Sequence, residues 1–319
     1  MINNHVLITG GAGFIGSHLS RHLLEGGHFV TVVDNMLTGR RANIADIAEN
    51  PNFVIRNADI CDPRSTEDLT RVTHIVHLAC PASPKANSRW PLDTIRASCV
   101  GTLNILELAE HTKARVVCAS SSEIYGDPLV HPQAESYRGN CDPIGPFSAY
   151  TEGKRVLEAA CAAHRRLGTN VGIIRPFNVF GPGMWPDDGR VMSNFCARAL
   201  RGETLEIAGG HQTRSFCYID DFVDGLVKMM ESSSFGPINL GDASTEITIA
   251  ELAELVVNSA GIGQVKLTTG RVGDTHRRQP DISLAKRVLD WTPTTSLAVG
   301  IEKTLRWMAD ILPADRAVR

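Results

Sequence analysis

Residues 6–19 read VLITGGAGFIGSHL. An apolar, β-branched run ends at Thr9, and Gly10, Gly13 and Gly16 follow before a helical pattern of apolar residues begins. Glycines there permit a tight turn and let backbone N–H groups at a helix N-terminus approach a pyrophosphate. Alone, such a turn is equally a structural bend. Here a second apolar run, FVTVVD (29–34), ends at Asp34. A carboxylate at that point accepts hydrogen bonds from an adenosine ribose and repels a 2′-phosphate. The pattern points to NAD rather than NADP, with Arg40 and Arg41 in NMLTGRR (35–41) as the contrary feature.

Moving outward, HVLITG, FVTVVD, FVIRNAD (53–59), HIVHLA (74–79), ARVVCASS (114–121) and NVGIIRPFN (170–178) read as buried strands. Between them GSHLSRHLLEGG (16–27), VGTLNILELAEHT (100–112) and EGKRVLEAACAAHRRLG (152–168) carry apolar residues at helical spacing. That alternation predicts a Rossmann-type, doubly wound parallel sheet of the α/β class. After about residue 180 the pattern loosens into GPGMWPDDGR (181–190), RGETLEIAGGHQTR (201–214) and TTGRVGDTHRRQPD (268–281). A strand–helix unit, SFCYIDDFVDGLVKMM (215–230), and a capped helix starting near Thr248 interrupt it. The expected division is a dinucleotide domain over 1–178, joined again by about 215–242, and a smaller α/β substrate-binding lobe mainly over 179–319.

CASSSEIYG (118–126) ends a strand in three serines and Glu123, where parallel sheets keep their sites, although serines there are commonly turn residues. SAYTEGKR (148–155) sets Tyr150 and Lys154 four apart, on one face of a helix. An ammonium so placed stabilises a phenolate and makes tyrosine a usable base near neutral pH. In the later half Arg190 and Arg214 are suited to bidentate contacts with a diphosphate, or are ordinary solvated arginines.

Taken together, TGGAGFIG, HLA (77–79), SSSEIYG and the Tyr-x-x-x-Lys pair resemble the extended short-chain dehydrogenase/reductase family. The resemblance implies that Ser121 bonds the substrate hydroxyl and that Tyr150 and Lys154 complete proton transfer. It also implies cofactor contacts from Gly10, Gly13, Phe14, Ile15, Gly16, Asp34, Asn35, Thr38 and Gly39. Asp59, Ile60, Leu78, Ala79, Tyr150 and Lys154 would complete that set. RPFNVFGP, DDGRVMSNF, GGHQTRSFCYIDD and RQPDISLAKRVLDWTP resemble its nucleotide-sugar branch, implying substrate contacts from Pro81, Ser122, Asn178, Arg190, Val191, Gln212, Arg214 and Arg278. Within the branch, LTGRRANI, PASP, SEIYGDPLVHPQAESYRGNCDPIGP, YTEGKR and DGRVMSNF resemble the UDP-glucuronate decarboxylases, which form UDP-xylose. Glu123 would then act near the sugar carboxylate and Arg278 would be the proton donor.

A 4-epimerase shares the opening oxidation and stays open. A 4,6-dehydratase carries an aspartic acid where Ser122 stands, and a non-catalytic NAD-binding relative would not need Ser121, Tyr150 and Lys154. Three departures bear on the sugar. Ser121 replaces the threonine common in the decarboxylases, Ala149 precedes the tyrosine where a bulkier residue is frequent, and KANSRWPLD (85–93) lacks a tyrosine, with Asn87 instead. A roomier pocket is expected to let some UDP-4-keto-pentose escape.

A formal net charge of −3 on 319 residues gives no reason to expect nucleic acid or a membrane surface as partner. The start MINNHVLITGGAG has no signal-peptide pattern, and no apolar run approaches a membrane span. Eight cysteines (Cys61, Cys80, Cys99, Cys118, Cys141, Cys161, Cys196, Cys217) form no CxxC pair and no zinc-type spacing. They read as reduced thiols, so a cytoplasmic protein without metal is expected, acting on a UDP-sugar as a homodimer.

Overall fold

The computed structural model of the chain describes residues 4–269 and 276–315. The six apolar runs are strands: β1 (His5–Thr9), β2 (Phe29–Asp34), β3 (Phe53–Asn57), β4 (His74–His77), β5 (Arg115–Ala119) and β6 (Val171–Pro176). Helices α1 (Phe14–Glu25), α2 (Pro84–Arg89), α3 (Pro91–Arg96), α4 (Thr102–Thr112) and α5 (Ser148–Arg166) lie between them. Beyond residue 178 come β7 (Val179–Phe180), α6 (Val191–Leu200), β8 (Thr204–Ala208), β9 (Thr213–Arg214), β10 (Cys217–Tyr218), α7 (Ile219–Glu231) and β11 (Ile238–Leu240). The chain closes with β12 (Ile247–Thr248), α8 (Ile249–Ala260), β13 (Gln264–Thr268), β14 (Arg277–Arg278), α9 (Ser283–Leu289) and α10 (Leu297–Asp315).

Seven strands form one parallel sheet in the order β11-β6-β5-β4-β1-β2-β3. The strands run apolar without alternation because both faces are covered. Val6, Ile8, Val32, Val76, Val117 and Ile174 point to one face. Leu7, Val33, Ile75, Val116, Cys118 and Ile173 point to the other, against α4 and α5. On the first face α7 packs on α1, and β11 pairs with β6, Ile238 opposite Ile174. The order reverses between β1 and β4, and their carboxyl ends open the crevice in which such sheets bind ligands.

The late segments build short sheets beside that crevice: β7 with β10, β8 with β13, and β12-β9-β14. The expected capped helix is α8. Thr248 Oγ1 accepts from Glu251 N (3.1 Å) and Glu251 Oε2 accepts from Thr248 N (3.0 Å), a reciprocal capping box. Among the described residues no helix is long and apolar enough to cross a membrane.

Under the crevice, His77 is buried between Thr9 and Thr102, with its Nδ1 2.7 Å from Thr9 Oγ1 and its Nε2 3.2 Å from Thr102 Oγ1. Thr102 already donates to Ser98 O (2.7 Å), so His77 donates from Nε2 and accepts at Nδ1. Burial, with the Lys154 charge adding to it, drives the imidazole pKa down to about 3. The native ring is therefore neutral, while the unfolded ring takes a proton below about pH 6.5. Its contribution is full above that pH and is lost as pH falls toward about 3. Urea unfolding from pH 7.5 to 5 should show wild type losing roughly 1.4 kcal/mol per pH unit below pH 6.5 relative to His77→Gln. Parallel slopes in the two proteins would contradict a buried neutral imidazole.

Candidate active site

The glycine turn is as tight as its composition implies. Gly10 has φ +74°, and a Cβ there would lie 2.9 Å from Ala79 Cα, so the turn rests directly on the chain after β4. A Cβ on Gly16 would lie 2.4 Å from Gly10 O, so the first turn of α1 is pressed against the end of β1. Helix α1 has Gly13 as its N-cap, no side-chain cap and no acidic residue in its first turn. Its N-terminal N–H groups and dipole thus suit a pyrophosphate.

Asp34, at the end of β2, accepts from Ala12 N (3.0 Å) and Met36 N (2.9 Å). Burial lifts its carboxyl above the usual range, and those two donors hold part of the rise back. The backbone of Gly39 lies against the carboxylate, where a Cβ would fall 2.6 Å from Oδ1. Every expected cofactor residue lines one cleft of about 580 Å³, including Phe14, Ile15, Asn35, Thr38, Asp59, Ile60, Leu78 and Ala79. A glycine-lined turn at a bare helix N-terminus, with a carboxylate beside it, fits NAD.

Tyr150 and Lys154 sit on α5 at the centre of this cleft. Lys154 Nζ donates to Ala119 O (2.7 Å) and lies 5.8 Å from the Tyr150 ring centroid. Ser121 follows β5, accepts from Glu123 N (3.1 Å) and hydrogen-bonds the phenol. Two opposing effects act on the phenol. Burial raises the Tyr150 pKa above the ordinary value of 10.0. Lys154, Ser121 and Arg190 pull it down and the Cys80 thiol pushes it up, but burial dominates in the protein alone. A desolvated phenol loses more than one neighbouring ammonium restores.

In the same cleft Glu123 and Arg278 are ion-paired across 155 residues of sequence, and Arg278, nearly fully buried, also donates to Gly126 O (3.1 Å). Parallel pairing of β14 with β9 sets Arg278 opposite Arg214. Arg190 donates twice to Asp188 (2.9 and 2.8 Å). Asn178, with φ +31°, donates to Ser215 O (3.0 Å). Pro81, Ser122, Val191, Arg190, Arg214 and Asn178 all line the cleft. Gln212 does not join them: its side-chain amide donates to Ala208 O (3.4 Å) and its backbone carbonyl accepts from Ile249 N (3.0 Å), which fixes the approach to α8.

Sequence reasoning missed several lining residues, among them Cys80, Phe147, Met184 and Asp188. Cys80 directly follows HLA, and Asp188 stands two places before Arg190, which were the available signals. In the stretch that lacks a tyrosine, Asn87 is buried, lines the cleft and accepts from Thr94 Oγ1 (3.2 Å). Among the described residues no group of three or more His, Cys, Asp or Glu side chains is placed to hold a metal.

The family described as the NAD dependent epimerase/dehydratase family matches residues 6–241. UDP-glucuronic acid decarboxylase 1 of Xenopus tropicalis is 46% identical over 305 residues, 95% of this chain and 71% of its own length. UDP-glucuronic acid decarboxylase 3 of Arabidopsis thaliana is 47% identical over 303 residues, 94% of this chain and 87% of its own. Among solved structures, UDP-glucose 4-epimerase of Thermotoga maritima with UDP-glucose superposes with a TM-score of 0.88 at 29% identity, covering 97% of this chain and 99% of that one.

Tyr150→Phe removes the phenol and leaves the pocket. Turnover should fall by roughly 10²- to 10⁴-fold with NAD still bound in calorimetry. Lys154→Ala removes the ammonium that offsets burial, so turnover should fall there too. Near-normal turnover in either variant would remove that residue from the chemistry.

Proposed function

The chain belongs to the NAD dependent epimerase/dehydratase family, and we propose that within it the protein is an NAD-dependent decarboxylase that converts UDP-glucuronate to UDP-xylose. The observation that carries this reading over a 4-epimerase is the Glu123–Arg278 pair in the same cleft as Tyr150. Inverting a 4-hydroxyl requires neither charge, whereas removing a carboxylate and protonating the carbon left behind has a use for both. Ser122 in place of an acid disfavours a 4,6-dehydratase.

The glycine turn at 10–16 and Asp34 would hold NAD, which would supply the hydride acceptor for carbon 4 of the sugar and the reductant that restores it. Tyr150 takes the proton of the 4-hydroxyl, with Ser121 holding that oxygen and Lys154 stabilising the phenolate. The resulting 4-ketone makes the carbon-6 carboxylate a β-keto acid. As carbon dioxide leaves, the electron pair moves onto the ketone oxygen, where the protonated Tyr150 and Ser121 donate hydrogen bonds to it. Glu123 disfavours the ionised substrate carboxylate and so acts on a charge that disappears in the reaction. Arg278 delivers the proton to carbon 5. Arg190 and Arg214 take the diphosphate, for which Arg190 must exchange its bonds to Asp188.

We place the protein in the cytoplasm as a homodimer. Its eight cysteines are all free, as reduced thiols are. Leu92, Ile95, Val100, Leu103 and Val156 stand exposed on α3, α4, α5 and the π-type turn at 97–101, a face that a second copy would bury. Light scattering on the purified protein tests this: a monomer at micromolar concentration would contradict it.

Incubation with UDP-glucuronate and NAD should give a nucleotide sugar lighter by one carbon dioxide, and Glu123→Gln should slow its formation by roughly tenfold or more. A product of unchanged mass would make the protein an epimerase. Released UDP-4-keto-pentose with matching NADH would show that escape competes with the final reduction.

A further inference from the structure

Arg40 is one of the two arginines that blur the cofactor preference in the sequence, and its surroundings give it another role. Its backbone N–H donates to Ala12 O (3.0 Å), just after Gly39 has passed against the Asp34 carboxylate. Its guanidinium turns to Asp187, with Nη2 2.5 Å from Oδ1, and lies 4.4 Å from the ring centroid of Trp185. Trp185 donates from Nε1 to Asn43 Oδ1 (2.7 Å), and Asn43 donates to Ala12 O (2.9 Å). The far wall holds the same segment. Lys85 Nζ donates to Asp187 O (3.3 Å), and Gly189, at φ +90°, passes so near that a Cβ would lie 3.0 Å from Lys85 Cβ. At its start His18 donates from Nε2 to Pro182 O (2.8 Å), and Trp185 meets Trp307 edge-on.

Residues 182–190 therefore cross from the α1 side of the cleft to α2, and Asp187 touches both walls. We propose that Arg40 and Asp187 form a clasp that retains the cofactor and, by keeping Arg40 occupied, excludes a 2′-phosphate. A half-exposed ion pair alone stabilises little. This arginine is also stacked on an indole that is itself hydrogen-bonded, which holds the guanidinium in one orientation. A phosphorylated ribose would meet the Asp34 charge, with the Arg40 guanidinium turned to Asp187 and stacked on Trp185. The same segment carries Asp188 and Arg190 into the substrate end, so a closed clasp also sets the diphosphate contacts.

The inference rests on NAD as cofactor and not on the sugar chemistry, and its test needs no sugar. NADH release is followed by fluorescence after a chase of unlabelled NAD, and NAD and NADP affinities by calorimetry. Asp187→Asn should speed release by roughly three- to tenfold and improve NADP binding relative to NAD, because Arg40 is freed. Arg40→Ala should speed release to a similar degree without that gain. The double variant should release no faster than the quicker single one, since both remove the same contact. Lys85→Met, which loosens the far wall, should speed release and leave the NADP:NAD ratio unchanged. Wild-type release rates in both Asp187→Asn and Arg40→Ala would overturn the clasp, as would an equal NADP gain in both.

Discussion

Lys154 Nζ meets Ala119 O at 2.7 Å, and this bond between α5 and the last residue of β5 sets how deep Lys154 and its neighbour Tyr150 lie. Next to it, Gly153 lets α5 pack closely on a neighbouring turn, since a Cβ there would fall 3.0 Å from Ser98 Cβ. Ser98 belongs to the wide π-type turn at 97–101 between α3 and α4. The carbonyl of Ser98 accepts from Thr102, whose hydroxyl accepts from His77, so the turn is tied to β4 and through Thr9 to β1. A neutral His77 matters to the same arrangement, because a second buried cation near Lys154 would compete with it.

A second polar frame fixes Glu123 relative to Tyr150. Glu158, one turn beyond Lys154 on α5, takes both Nε and Nη2 of Arg175 (2.8 and 2.7 Å). Arg175 donates onward to the Tyr125 hydroxyl (2.8 Å), and Tyr125 donates to Asn239 Oδ1 (2.8 Å). Burial pushes the Tyr125 pKa up to about 12, so it remains a donor. The turn that holds Glu123 is thereby bonded to α5, β6 and β11 at once. Such a satisfied buried network holds side chains within the small tolerances that proton and hydride transfer demand.

The fold was legible where local patterns and close glycines speak for themselves. Apolar runs without alternation marked the six strands, and Thr248 with Glu251 marked a helix start. The site was legible as a set of residues but not as a set of relations. Glu123 finds Arg278 through the pairing of β14 with β9, and Arg40 finds Asp187 through a segment crossing the cleft; neither pairing has a local signature. Gln212 was misplaced because its neighbours Thr213 and Arg214 do enter strand pairing at the site while its own side chain turns away. At Tyr150, spacing on a helix shows that an ammonium is near, while desolvation depends on the entire surrounding fold and opposes it in the protein alone.

The central claim is that Lys154 partly offsets the burial of a phenol that the fold makes hard to ionise. NMR titration of ¹³Cζ-tyrosine, with Tyr150→Phe to assign the signal, tests it in the protein without ligands. Tyr150 should ionise above the free-tyrosine range, about pH 10, and Lys154→Met should move the midpoint higher still. A Tyr150 midpoint at or below about 10, or one that Lys154→Met leaves unmoved, would contradict the account.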